Sequence, residues 1–267
     1  MRIKDSRQHV GAVLLVTGLV AASGVAAAVT GPPAFGINPS LGPGQLVAAA
    51  AEIPAVDLPH GEISETASQD PIRALQQRLT WTGATTVSMT GEWDEATTNA
   101  VRRFQAKQHL HRTGHADAQT VETLRAVAGD GSLDPQCMKP GITLCVNKEQ
   151  KVLRYVQDQR VLITLDINTG PEKGDKWFGQ YSATRLGSFH VFHKAKFEVS
   201  NEYGTPLPWF MQFDNGIGFH YSEFFRTEGY NNSSYGCVTT NNKDGLGWVF
   251  RHTPLNTSVI VYNTDSA

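Results

Sequence analysis

The spacing of hydrophobic positions changes three times along the chain. Val10 to Val29 is an almost unbroken apolar run, preceded by Arg2, Lys4 and Arg7. From Thr30 to about Gln69 Ala, Pro and Gly dominate, and no helical or strand period is sustained. From Asp70 to about Ala128 apolar residues recur at helical spacing: Ile72, Leu75 and Leu79, then Ala100, Val101 and Phe104, then Val121 and Leu124. After Gly129-Asp130-Gly131 the pattern turns into short apolar and β-branched runs separated by turn signals, at Ile142 to Val146, Lys151 to Val156, Val161 to Asn168, Gly187 to His193 and Ser258 to Tyr262. The pattern predicts an α+β chain: a small three-helix domain over 70–128, then a mainly-β, largely antiparallel domain over 139–264.

Local signals sharpen these boundaries. Asp70-Pro71 reads as a helix start, with Asp in the capping position and Pro at the first helical position. The second and third helices follow similar strings, Gly91-Glu92-Trp93-Asp94-Glu95-Ala96-Thr97 and Gly114-His115-Ala116-Asp117-Ala118-Gln119-Thr120. Each supplies a Gly for a tight turn and an Asp whose carboxylate accepts orphan amide hydrogen bonds, which makes a short internal repeat. Trp81 and Trp93 are expected to pack this helical domain.

The basic start, the apolar run and the A-x-A-like Ala26 and Ala28 make residues 1–30 an export signal. The run also reaches the roughly 20 residues that span a bilayer, so a retained signal anchor is the alternative. Residues 31–69 then read as a linker. As flexible coil, a segment of about 40 residues would reach roughly 35 Å. The expected location is extracytoplasmic, secreted or membrane-anchored.

Composition changes the picture in two ways. Lys plus Arg number 23 against 25 for Asp plus Glu, a formal net charge of -2, so the basic footprint that phosphate-backbone binding needs is missing and a nucleic-acid partner is disfavoured. Export also places the cysteines, Cys137, Cys145 and Cys237, in an oxidising compartment, where two are expected to pair and one to remain as a thiol. Cys137 and Cys145 flank the turn-forming Lys139-Pro140-Gly141, which suits a short bridged loop worth about 2 to 3 kcal/mol, and leaves Cys237 over.

Candidate chemistry gathers at that thiol. Cys237 lies in Ser233-Ser234-Tyr235-Gly236-Cys237-Val238-Thr239, and His220 ends Gly216-Ile217-Gly218-Phe219-His220. A neighbouring imidazole can take the thiol proton and return it to a leaving amine. A tight turn at Gly236 can aim backbone N–H groups of Tyr235, Gly236 and Cys237 at a developing oxyanion. Cys237 and His220 are therefore the catalytic candidates, and Gly236, Tyr235 and Ser234 the oxyanion or substrate candidates. His190-x-x-His193 is the one tempting metal pair, but alternate faces of a strand would separate the two side chains, so no metal and no cofactor is expected. Trp209 and Phe210, close before His220, are expected to line the cleft, and one of two loops, Gly170 to Lys176 or Tyr203 to Pro206, to cover it.

The segment from Asp70 to about Ala128 resembles the three-helix peptidoglycan-binding module. Leu75-Gln76, Gly91, Trp93, Thr97, Ala100-Val101, Phe104-Gln105, Leu110, Gly114, Thr120 and Leu124 carry the likeness. The stretch from about Lys139 to Asn263 resembles the L,D-transpeptidase catalytic domain, also called the YkuD-like domain. Here the carriers are His220, Ser234, Gly236, Cys237 and Val238, with Asn168-Thr169-Gly170, Thr184-Arg185-Leu186-Gly187-Ser188-Phe189, Pro208-Trp209-Phe210-Met211 and the Thr257 to Tyr262 strand. Tyr235 stands where that family usually has His, and Thr239 where Arg or Asn is usual. The resemblance implies a ping-pong acyl transfer: Cys237 attacks a tetrapeptide stem, D-alanine leaves, and the thioester passes to the amine of another stem. Transfer to water would make the site an L,D-carboxypeptidase, and loss of turnover would leave a non-catalytic peptidoglycan-binding protein. The partners implied are peptidoglycan stem peptides, with carbapenems as inhibitors.

Overall fold

The computed structural model describes residues 57–83, 87–171 and 183–264. The export signal or anchor expected at 1–30 and residues 31–56 of the linker expected at 31–69 lie outside the described residues. Among those described, no helix is long and apolar enough to cross a membrane.

Three helices come first: α1 (Gln69–Trp81), α2 (Glu95–Lys107) and α3 (Ala118–Ala128). Their apolar stripes converge on one core, in which Leu75, Leu79, Val101, Phe104, Val121 and Leu124 are fully buried. Asp94 and Asp117 cap α2 and α3 as expected, accepting from the amides of Thr97 and Thr120, each at 2.7 Å. The start of α1 differs from the Asp70-Pro71 expectation. Gln69 is already helical, Ser68 takes the capping position without a side-chain bond, and Asp70 sits in the first turn beside Arg73. A Pro in the first turn costs nothing there, because the early amides have no intrahelical partner.

The repeat is built around two buried glutamines. Gln76 accepts from the Gly91 amide at 2.9 Å and donates to the Glu92 carbonyl at 2.8 Å. Gln105 does the same one repeat later, accepting from Gly114 at 2.9 Å and donating to the His115 carbonyl at 2.9 Å. Gly91 and Gly114 both have positive φ, the backbone region glycine enters without penalty. The expected linker is shorter than 31–69: Leu58 and Ile63 are buried against the helices, and the Ile63 amide bonds the Ala116 carbonyl at 2.9 Å. Two isolated apolar residues carry no period, so only their distant partner reveals them.

Among the described residues the second domain has nine strands: β1 (Ile142–Asn147), β2 (Val152–Gln157), β3 (Arg160–Asn168), β4 (Gly187–His190), β5 (His193–Val199), β6 (Pro206–Asp214), β7 (Ile217–Tyr221), β8 (Val238–Thr240) and β9 (Ser258–Tyr262). Two helices join them, α4 (Glu223–Glu228) and α5 (Lys243–His252). The sheet runs β4-β9-β1-β2-β3-β8-β7-β6-β5. Most pairs are antiparallel, but β1 with β9 and β7 with β8 are parallel. The run expected from Gly187 to His193 is two strands: Val191 bonds Thr257, Phe192 bonds Gln212, and the chain passes from one half of the sheet to the other between them.

The sheet curls so that both halves share one core. Leu144, Val146, Ile167 and Val259 from one half meet Met211, Phe219 and Val238 from the other, with α5 adding Leu246 and Val249. Gly245 lets α5 approach closely, since a Cβ there would lie 2.6 Å from Leu165. The opposite face of β2 and β3 carries Arg154 and Asp166, and against it the helical domain packs, Arg154 lying 3.9 Å over the Trp81 ring. Cys137, in a short 3-10 turn, and Cys145 of β1 form the expected disulfide, with Cα atoms 6.0 Å apart.

Candidate active site

Register decides where the catalytic candidates point. In the parallel β7–β8 pair His220 lies opposite Thr239 and Phe219 opposite Val238. Continuing that register by one residue sets Cys237 beside Gly218. Because side chains alternate, Gly218, His220, Cys237 and Thr239 share the outer face, while Phe219 and Val238 enter the core. Cys237 and His220 are thus diagonal neighbours, about 8 Å apart at Cα from strand spacing and rise. A thiol and an imidazole leaning together can close that gap. Gly218 is required between them, since a Cβ would meet the Phe210 ring at 2.5 Å and the Met211 carbonyl at 2.7 Å.

His220 is buried, and its Nδ1 sits 2.9 Å from the Tyr221 carbonyl. A carbonyl only accepts, so Nδ1 carries the proton and Nε2 of the neutral ring has a free lone pair. Burial also lowers the His220 pKa, keeping the ring neutral, while the Tyr221 carbonyl pulls the other way. The Cys237 thiol is pushed up by burial, with a smaller opposing pull from the Gly218 backbone. Both shifts favour a resting thiol and imidazole over a thiolate–imidazolium pair. The residue as a whole is partly buried.

A web of hydrogen bonds clasps the Cys237 loop. The Asn168 side chain donates to the Asn232 carbonyl, and the Thr169 carbonyl accepts from the Ser234 amide at 3.1 Å. Thr184 accepts from the Gly170 amide at 2.9 Å and donates to the Gly236 carbonyl at 2.7 Å. Gly236 has φ of 105°, a conformation that favours glycine. In a trans peptide C=O and N–H point oppositely, so the bond from Thr184 to the Gly236 carbonyl turns the Cys237 N–H the other way. Ser234 spends its hydroxyl on the Cys237 carbonyl, so this side chain shapes the loop. Thr239, buried, donates to the Asn168 carbonyl at 3.4 Å.

Tyr235 is half exposed, and its ring stacks on Tyr203 at 4.8 Å and 15°. Tyr203 comes from the β5–β6 connection, so of the two loops expected near the cleft this one reaches the Cys237 loop; most of Gly170 to Lys176 lies outside the described residues. Phe210 shares the outer face with Gly218, whereas Trp209 turns inward, 5.3 Å from Phe250 of α5. The two are consecutive residues of β6, and their side chains take opposite faces. His193 pairs with Glu198 at 2.7 Å, and among the described residues no group of three His, Cys, Asp or Glu is arranged to hold a metal ion. A groove of about 290 Å³ lies on the helical domain, lined by Ile63, Ser64, Glu65, Trp93, His115 and Ala116 among others. Sequence reasoning missed the orienting partner of His220, because a backbone carbonyl has no residue signature. It also missed the clasping role of Asn168 and Thr184, which stood in the strings at Asn168-Thr169-Gly170 and Thr184-Arg185.

Two family models match the chain. Residues 68–124 match the family model of a putative peptidoglycan binding domain, and residues 141–261 that of the L,D-transpeptidase catalytic domain. No curated protein matches the sequence. Among solved structures, an L,D-transpeptidase (residues 123–326) from Xylanimonas cellulosilytica is 23% identical over 78% of this chain and 98% of its own, with a TM-score of 0.47. An L,D-transpeptidase from Stackebrandtia nassauensis is 23% identical over 78% of this chain and 96% of its own, with a TM-score of 0.48. L,D-transpeptidase 3 from Mycobacterium tuberculosis, in complex with a faropenem-derived adduct, is 15% identical over 46% of this chain and 60% of its own, with a TM-score of 0.38.

Proposed function

With an L,D-transpeptidase catalytic domain behind a putative peptidoglycan binding domain as the premise, we propose that this chain is a cell-wall L,D-transpeptidase acting through a Cys237 acyl-enzyme. The observation that carries the reading is the parallel register that sets Cys237 and a neutral, Nδ1-protonated His220 on one face. His220 Nε2 takes the thiol proton as Sγ attacks the carbonyl that precedes the terminal D-alanine of a tetrapeptide stem. The tetrahedral oxyanion is met by backbone N–H groups of the Tyr235 to Cys237 turn. His220 then gives its proton to the leaving amine, D-alanine departs, and a thioester remains on Cys237. The side-chain amine of a second stem attacks that thioester, loses its proton to His220, and displaces the thiol to form the cross-link. Because the resting pair is uncharged, proton transfer accompanies attack.

The helical domain would hold the enzyme against peptidoglycan outside the cytoplasm. A β-lactam of the carbapenem type presents a strained carbonyl to the same sulfur and is the expected inhibitor. Water in place of the amine acceptor would give an L,D-carboxypeptidase from the same acyl-enzyme. Intact-mass spectrometry with a carbapenem and with a tetrapeptide stem, beside Cys237→Ala, tests the proposal. An adduct and D-alanine release that both vanish in the variant are expected. Folded protein that forms neither would leave a peptidoglycan-binding protein without turnover.

A further inference from the structure

Beneath the helical domain lies a charged cluster that the reaction above does not use. Lys107, the last residue of α2, is buried, and its Nζ donates to Asp166 Oδ1 at 2.6 Å and to the Thr82 carbonyl at 2.6 Å. Arg103, one turn earlier, approaches the other carboxylate oxygen at 3.8 Å. Gly83, with φ of +89°, closes over the pair: a Cβ there would fall 2.3 Å from Asp166 Oδ1 and 2.8 Å from Lys107 Nζ. Desolvation offsets most of the attraction in a buried pair, so such a pair contributes little net stability and is best attested as a device that fixes register.

What it would fix is the strand that carries the nucleophile loop. Asp166 lies two residues before Asn168 on β3 and shares its face. The Asp166 carbonyl accepts from the Thr240 hydroxyl at 2.7 Å, next to the Thr239–His220 pair. Asn168 and Thr169 hold Asn232 and Ser234 of the loop itself. The loop's upstream end also meets α2, through the 3-10 turn Gly229–Asn231. Within that turn Tyr230 is packed edge-on against Phe225 at 5.0 Å, and Lys151 Nζ lies 5.2 Å from its ring centroid. One helix of the wall-binding domain therefore braces both the strand and the turn from which the Cys237 loop hangs.

We infer that Lys107 is a positioning residue for Cys237: by anchoring Asp166 it holds the end of β3, and with it the nucleophile loop, in reactive register. This rests on the reading of Cys237 as nucleophile. The helical domain is then part of the catalytic unit as well as its attachment to the wall.

The test compares the full chain with Lys107→Met and with Lys107→Met/Asp166→Leu. The single variant leaves a buried carboxylate without its lysine and is expected to lose stability, whereas the double variant replaces the pair by apolar groups of similar size and restores it. Carbapenem acylation of Cys237 is followed by intact mass, and native alkylation of the same thiol by iodoacetamide in parallel. Expected in both variants is a limiting acylation rate lower by roughly tenfold or more at an unchanged half-saturating concentration, as small misplacements of a reacting group produce. In the double variant this loss comes with a wild-type melting temperature. A folded double variant that acylates at the wild-type rate would overturn the inference. Should the double variant not fold, Gly83→Ala, which presses on the pair without removing a charge, is read the same way. Absence of a carbapenem adduct in every protein would sink the nucleophile reading instead. The positioning role would then be judged by alkylation, slower in the double variant if it holds and equal to wild type if it does not.

Discussion

Thr184 offers a sharp test of how the nucleophile loop is held. Its side chain is 1% exposed and its hydroxyl serves two backbone groups, accepting from the Gly170 amide and donating to the Gly236 carbonyl. Thr184→Val keeps the shape and deletes both bonds. Each of the two buried backbone groups left without a partner costs about 1–3 kcal/mol, so a loss of about 2–6 kcal/mol is expected. At about 2–4 °C per kcal/mol for a protein of this size, the melting temperature should fall by roughly 4–24 °C. The same change frees the peptide between Gly236 and Cys237, whose orientation aims the Cys237 N–H. One oxyanion donor is worth roughly a hundredfold to a thousandfold in rate, and a loosened one a part of that, so carbapenem acylation should slow roughly tenfold to a hundredfold. Thr184→Ser retains the hydroxyl and should keep most of both properties. Thermal melting and time-resolved mass spectrometry on the two variants decide the matter. A valine variant that melts and acylates like wild type would refute the view that Thr184 holds the loop.

Other outcomes follow from the same geometry. His220→Gln should lower Cys237 acylation by roughly a hundredfold to ten-thousandfold, the range for loss of a general base, while circular dichroism stays unchanged. Because burial lowers the His220 pKa and raises that of Cys237, the acylation rate should hold as pH falls through the ordinary histidine value of 6.5 and decline only below it. For stability the sign is the same: the unfolded chain takes up the His220 proton first, so the contribution of the buried neutral ring is present above 6.5 and is lost as pH falls towards the folded-state pKa, which melts at graded pH would follow. Gly83→Ala should destabilise by about 1–3 kcal/mol through overpacking against Asp166 and Lys107, measured by urea unfolding. Thiol titration of unreduced, denatured protein should count one group, Cys237, and Cys137→Ser/Cys145→Ser should lose about 2–3 kcal/mol.

The two-domain order, the helices capped at Asp94 and Asp117, and five of the nine described strands, β1 to β4 and β9, were legible in the sequence alone, which also made a Cys137–Cys145 bridge with Cys237 left over plausible without establishing the pairing. Each rests on local physics: a helical or alternating period, a carboxylate placed to take a free amide, a turn short enough to close a bridge. Where α1 begins was less well determined, since Ser68, Asp70 and Pro71 all suit a first turn and local preferences do not choose among them. Leu58 and Ile63 read as linker because two lone apolar residues show no period until Ala116 and the helices arrive to cover them.

Tertiary structure alone decided the geometry of the candidate residues. Cys237 and His220 share a face because β7 and β8 pair in parallel with one register, and a slip of one residue would turn either side chain into the core. The tautomer of His220 depends on the Tyr221 carbonyl, the clasp on Cys237 depends on Thr184 and Asn168 from other strands and connections, and the brace on that clasp comes from Lys107 in another domain. Backbone groups and pair partners of this kind leave no mark on the local pattern, because their identity is fixed only when segments far apart in the chain are brought to hydrogen-bonding distance.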